Sequence, residues 1–161
     1  MEITKSSRHS KIVGDFGEAL VLYWLSKDGF ECARVDHTGI DLIARNRHTQ
    51  ELMGISVKSR SRFTGTKSDS INLSHDGFDK AREACHAFGC QPYYAIVVDA
   101  DGFIRCFLLP LSYLEGLASG RADMSYWRMS PAQLALYRSD KSIIFFELRE
   151  TACNWWSGAE A

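Results

Sequence analysis

The chain has no apolar run approaching the ~20 residues that a membrane-spanning helix needs, so no span is expected. Its amino terminus does not have the pattern of a signal peptide. The five cysteines, Cys32, Cys85, Cys90, Cys106 and Cys153, are odd in number and include no CxxC pair. That argues against a disulfide framework or a zinc ribbon and for reduced thiols, so a cytoplasmic location is expected. Cys85, His86 and Cys90 are metal-ligating types, but the preferred reading is a core Cys85 beside a solvated His86. A net charge of −1 carries no global signal for nucleic acid or membrane. No internal repeat, low-complexity linker or domain boundary is visible. The 161 residues are expected to form one domain, 1–161, long enough for a real core.

What charge there is, is uneven. From Arg45 to Lys67 the chain carries Arg45, Arg47, Lys58, Arg60, Arg62 and Lys67 against only Glu51. Such a strip can bind phosphates on an otherwise neutral protein. It overlaps the most informative stretch, Gly39 to Arg60. Gly39–Arg45 and Leu52–Arg60 are β-rich runs separated by polar residues Asn46 to Gln50, the pattern of a hairpin. Alternation puts Asp41, Ile43 and Arg45 on one face of the first strand, and Ser56, Lys58 and Arg60 on one face of the second. A turn near His48–Gln50 brings Asp41 beside Ser56 and Lys58. Such a pair is either a surface salt bridge, worth a few tenths of a kcal/mol, or a charged site able to face a phosphate.

Ile12 to Lys27 has helical spacing, with Val13, Phe16, Leu20 and Trp24 expected to face the core. Asp15 and Glu18 fit a capping box. Glu18 also lies on a stripe with Val21, Leu22 and Leu25, where a carboxylate needs a reason: helix capping, or a site at the end of the sheet. Phe30–Val35 is expected as a strand, Asp36–Gly39 as a loop, and Ser61–Ser74 as a mobile loop. Asp76–Phe88 is expected as a helix with Phe78, Ala81, Cys85 and Phe88 inward, ended by Gly89. Tyr93–Val98 is a buried strand, Asp101-Gly102 a hairpin turn, and Phe103–Leu109 the returning strand. Leu111–Leu117 is a short helix. Ser130 caps another, with Pro131 at its first position. Ser142–Leu148 is the last strand. Beyond it lies a tail, 151–161, with Trp155 and Trp156.

The order helix, three strands, helix, strand, with GDFGE on the first helix, GID on the second strand and SVK on the third, resembles the PD-(D/E)XK nuclease superfamily. Its archaeal Holliday-junction resolvase-like branch is the nearest in pattern, and FGCQPYYAIVV adds a similar helix-to-strand entry. The resemblance covers Lys11 to Val98. It implies an α/β fold of restriction-endonuclease-like type: a core of αβββαβ order, about 11–98, built on a mixed central sheet flanked by helices. A C-terminal β/α extension, about 99–150, follows.

By the same resemblance, Gly17-Glu18 matches the helix motif, Asp41 the central metal ligand and Lys58 the lysine. Thr38 sits where a hydroxyl residue is common. Ser56 stands where the family has Glu, Asp or Gln, so this chain lacks the strand carboxylate. The activity implied is phosphodiester hydrolysis of nucleic acid, DNA foremost, with Mg2+ or Mn2+ held by Asp41, Glu18 and the Val57 carbonyl. Lys58 would orient water or stabilise the transition state. Arg60, Arg62, Lys67 and Thr38 would contact the nucleic acid. The departure at Ser56 keeps two alternatives open: an inactive pseudonuclease that still binds nucleic acid, and a protein-interaction module reusing the fold. A homodimer is expected if Tyr93–Val98 or the second half of the chain forms a sheet edge.

Overall fold

A computed structural model describes residues 5–62 and 69–151. Lys67, Trp155 and Trp156 lie outside these. A six-stranded mixed sheet organises the molecule, in the order β1-β2-β3-β5-β6-β9. Helix α1 (His9–Lys27) leads into β1 (Glu31–His37), β2 (Ile40–Arg45) and β3 (Leu52–Ser61), all antiparallel neighbours. A short strand β4 (Ser70–Ser74) and helix α2 (His75–Phe88) then cross over to β5 (Gln91–Ala100), which lies parallel to β3. From there β6 (Phe103–Pro110), α3 (Leu111–Leu117), β7 (Ser119–Arg121), β8 (Met124–Arg128), α4 (Pro131–Ser139) and β9 (Ile144–Arg149) follow. Strands β6 and β9 extend the main sheet, and β4-β8-β7 form a separate antiparallel sheet. This is the mixed, helix-flanked α/β architecture expected from the sequence. No helix of the described residues is long and apolar enough to cross a membrane.

Strand alternation divides the core between the two faces of the main sheet. Leu42, Ile55, Ala95, Val97, Cys106 and Leu108 pack beneath α1, against Leu20, Val21 and Leu25. Tyr94, Ile96, Val98, Phe107 and Leu109 face the other way, toward Phe78 of α2, Trp127 of β8 and Tyr137 of α4. Fully burying one such Leu, Ile or Phe stabilises by roughly 1.5–3 kcal/mol. Two well-filled faces therefore leave room for a few costly polar groups at one edge.

Several expectations need correction. Helix α1 begins at His9 after Arg8, which makes no side-chain cap, so Asp15 is an interior residue, paired with Lys11 at 2.9 Å. The helix extends six residues ahead of Asp15 with no buried residue there, and Glu18 is too deep in the helix to cap it. The stripe facing the sheet is Gly17, Leu20, Val21 and Leu25; Phe16 is 42% exposed, and Val13 and Trp24 are half-buried. The stretch expected as a mobile loop contains β4, whose partner β8 lies more than fifty residues later and leaves no local trace. Strand β1 runs on to His37. Phe88 is 43% exposed against His37, rather than inward. Strands β7 and β8 are additions to the expected elements. Tyr93–Val98 lies inside β5, paired on both sides, so it offers no edge to a second copy; the described edges of the main sheet are β1 and β9. Cys85 is buried and His86 exposed, as expected.

Candidate active site

The pairing of β2 with β3 ends at Leu42 opposite Ile55. Just past that point, the main-chain N–H of Val57 meets a side chain instead of a strand: it donates to Asp41 Oδ2 at 2.6 Å. The N–H and C=O of one strand residue point to the same side. The Val57 carbonyl therefore faces the side on which Asp41 sits.

Two glycines make this arrangement possible. Gly39 has φ +103°, a conformation strained for any L side chain, and a Cβ there would run into the Lys80 carbonyl of α2. The loop before Asp41 is thus pressed against α2 from one side. From the other, the buried Ser56 hydroxyl donates to the Gly39 carbonyl. Gly17 lets α1 settle onto β3, because a Cβ would overlap the side chain of Ser59. That close approach carries its neighbour, Glu18, to the same end of the sheet.

Burial governs the charges that meet here. It pushes Asp41 above the usual carboxylate range, against the Val57 N–H and the Lys58 charge, which pull it down. Glu18 is raised by burial and then by the negative charge of Asp41, with Arg34 acting in the opposite sense. Lys58 is lowered by burial and then by Arg60, while Asp41 holds it up. Tyr94, paired across from Ser56, is pushed up to about 12 by burial and by Asp41. Glu18, Asp41, Lys58 and Tyr94 thus form one electrostatically linked group.

The remaining residues named from the sequence fare unequally. Thr38 is exposed in the turn, its carbonyl 2.8 Å from His37 Nδ1. Arg60 is exposed, with Nη1 donating to the Ser59 carbonyl at 2.9 Å. Arg62 is partly engaged within the fold. Its Nη2 donates to the Ser70 carbonyl, and its N–H donates to the Asp99 carbonyl at 2.8 Å. Two neighbours of the site have no counterpart among the residues singled out from the sequence. Arg34 of β1 lies 4.0 Å from Glu18 Oε2 and donates to the Asp15 carbonyl at 3.2 Å. Tyr94 reaches Asp41 only through the parallel β3–β5 register. Neither carries a local signal: Arg34 depends on how α1 packs against β1, and Tyr94 on a strand pairing, and a single sequence displays neither.

Among the described residues, no three His, Cys, Asp or Glu side chains gather as a metal cluster. Magnesium does not require one: it is commonly held by one or two carboxylates, with waters and substrate phosphate completing its shell. Asp41, Glu18 and the Val57 carbonyl are a hard-oxygen set of that kind. The charge of Asp41, which raises Glu18, is the sort of unfavourable interaction a bound cation relieves. The residues present fit a weakly held magnesium or manganese ion.

No protein-family model matches the chain, and no curated protein matches it. Among solved structures it is similar to Hjc, a Holliday junction resolvase from the archaeal hyperthermophile Archaeoglobus fulgidus. Identity is 21%, over 76% of this chain and 88% of that one, with a TM-score of 0.55. A bacterial homing endonuclease aligns at 13% identity over 76% of this chain and 77% of its own, with a TM-score of 0.45, too low to build on. The first likeness establishes the fold: the chain is a mixed α/β protein of restriction-endonuclease-like architecture.

Proposed function

We propose that the chain is a metal-dependent nuclease acting on DNA, with Glu18, Asp41, Ser56 and Lys58 as its site. The observation that carries this reading is Asp41, bonded to the Val57 N–H where the β2–β3 pairing ends, raised by burial and coupled on one side to Glu18, also raised, and on the other to Lys58, lowered. A structural salt bridge would not require a glutamate from α1 as well. Reactive sites are places where groups of opposite sign are perturbed together in this way. Likeness of fold to Hjc, whose name describes a junction-resolving activity, supports the same class.

Asp41, Glu18 and the Val57 carbonyl would hold the cation. Bound there, it would supply Lewis-acid activation of the scissile phosphate and of the attacking water. The chain's own part is positional. Asp41 is fixed by the Val57 N–H, so its other oxygen keeps one direction. Lys58, partly desolvated, presents a positive charge to the phosphate oxygens as negative charge accumulates in the transition state. Ser56 is neutral and engaged with Gly39, so it anchors the loop and supplies no negative charge. Glu18 therefore takes over the electrostatic role of the missing strand carboxylate.

Calorimetric titration with manganese tests this assignment. Glu18→Ala should abolish binding as fully as Asp41→Ala. Unchanged affinity in the Glu18 variant would reduce the glutamate to a helix-surface residue, and a Ser56→Glu variant that gains neither metal nor activity would favour a pseudonuclease.

A further inference from the structure

The β4-β8-β7 sheet takes no part in the site described above. Its inner face is rigidly packed: Ile71, Leu73 and Trp127 are buried, and Trp127 stacks on Tyr137 of α4 with ring centroids 4.0 Å apart at 17°. Its outer face is another matter. In register, Arg128 lies opposite Ser70, Tyr126 sits between Asn72 and Ser119 on the central strand, and Met124 sits between Ser74 and Arg121. Among the described residues of this strand face, Tyr126 is the one aromatic, with Met124 beside it and Arg128 and Arg121 toward opposite ends. It also stands between two clefts. One, of about 280 Å³, is lined by Asp69, Ser70, Tyr126, Arg128 and Ser130. The other, of about 240 Å³, is lined by Tyr126 and Arg128 again, with Leu117, Gln133 and Tyr137.

We infer that this face binds an unpaired strand of nucleic acid, with a base stacked on Tyr126 and its backbone held by Arg121 and Arg128. The chemistry suits such an occupant. An aromatic ring on an antiparallel sheet gives a sequence-tolerant stacking surface, and flanking arginines follow the phosphates. Asp69 opposes phosphate, but it can accept from the amino edge of a base entering the larger cleft. The face is tied by one hydrogen bond to the strand that carries the proposed nuclease site. Lys58 and Arg60 lie on β3, and two residues on Arg62 is bonded through Nη2 to the carbonyl of Ser70, a cleft residue. Val57 to Arg62 spans about 17 Å at strand rise. On this inference, a strand leaving the site along Arg60 continues past Arg62 into the cleft that Ser70 and Tyr126 line. This rests on the nucleic-acid contact in the proposed function, and it narrows the substrate to one with an unpaired segment near the cut.

Fluorescence anisotropy with 20-nucleotide single-stranded DNA, the matching RNA and duplex DNA, all in chelator, tests the inference without any need for cleavage. Tyr126→Ala should weaken binding of a single strand by about 5- to 150-fold, the usual contribution of one stacked base. Duplex affinity should be unchanged, and Tyr126→Phe should bind like the original. Whether DNA or RNA shows the loss identifies the natural strand. Equal loss on duplex, no loss on either single strand, or no single-strand binding by the unaltered protein would each overturn it. Tyr126 is only half-buried, so thermal melting checks that the variants fold. Cleavage by the same proteins with manganese is scored separately, so a failed nuclease reading is not mistaken for a failed platform.

Discussion

Asp41 has a raised pKa in the folded chain, so the folded state takes up a proton more readily than the unfolded state does. The sign follows. Without metal, ionised Asp41 is unfavourable, and stability rises as pH falls from the raised value toward the ordinary carboxylate value. Asparagine keeps an acceptor for the Val57 N–H and removes the charge. Asp41→Asn should therefore melt at or above the temperature of the original protein at neutral pH in chelator. The difference should shrink as pH falls through that window. Manganese should then raise the melting temperature of the original and leave the variant unmoved. Thermal scans across pH, with and without manganese, give the answer; destabilisation by Asp41→Asn would mean that Asp41 is a favourable ion-pair partner of Lys58 and nothing more. Ser56→Glu should tighten manganese binding. It should also lower the melting temperature, because the bond to the Gly39 carbonyl is lost from a buried position.

At the scale of elements, α1 matters for how closely it lies on β3. Gly17→Val has to push the helix off Ser59, and should cost roughly 1–3 kcal/mol in urea unfolding, the usual range for overpacking. Displacement of Glu18 should weaken manganese binding in the same variant. An undisturbed variant would mean that the helix–sheet contact is slack. The β3 arginines should separate. Arg60→Ala should flatten the salt dependence of DNA binding by about one unit of slope and leave melting alone. Arg62→Ala should also lower the melting temperature, since Arg62 ties the end of β3 to the start of β4. Equal effects of the two would contradict this division.

Those same elements show what is legible in the sequence. The β2–β3 hairpin is, because period-two alternation and a polar turn are local properties, and together they set the Leu42–Ile55 register that leaves Asp41 next to Ser56 just past the ladder. The Ser130 cap of α4 is legible for the same reason, and its hydroxyl accepts the Gln133 N–H at 3.5 Å. The start of α1 is misleading because the local capping motif at Asp15 lies inside a helix whose first turns bury no residue and so carry no core-facing signal. Strands β4, β7 and β8 leave no trace because they are short and β4 pairs with β8 across a long separation. Ser56 stands out in the sequence as a missing carboxylate, but its bond to Gly39 depends on a glycine conformation that only the fold reveals.

At the scale of the whole molecule, α1, the β2–β3 hairpin and the end of β3 meet at one end of a sheet whose two faces are otherwise filled with apolar side chains. The half-buried charges Glu18, Asp41 and Lys58 lie where the ladder runs out, and Arg62 beyond them bonds to Ser70 of the second sheet. A purely structural role would give no reason for a glutamate, an aspartate and a lysine to be desolvated together. The most direct measurement is cleavage of a branched and a linear DNA by the original protein and by Lys58→Ala, with manganese and again with excess chelator. Cleavage that requires manganese and is lost in Lys58→Ala, while that variant still binds the metal by calorimetry, is the predicted result. DNA that is bound but left intact by the original protein under every metal condition would contradict the nuclease assignment.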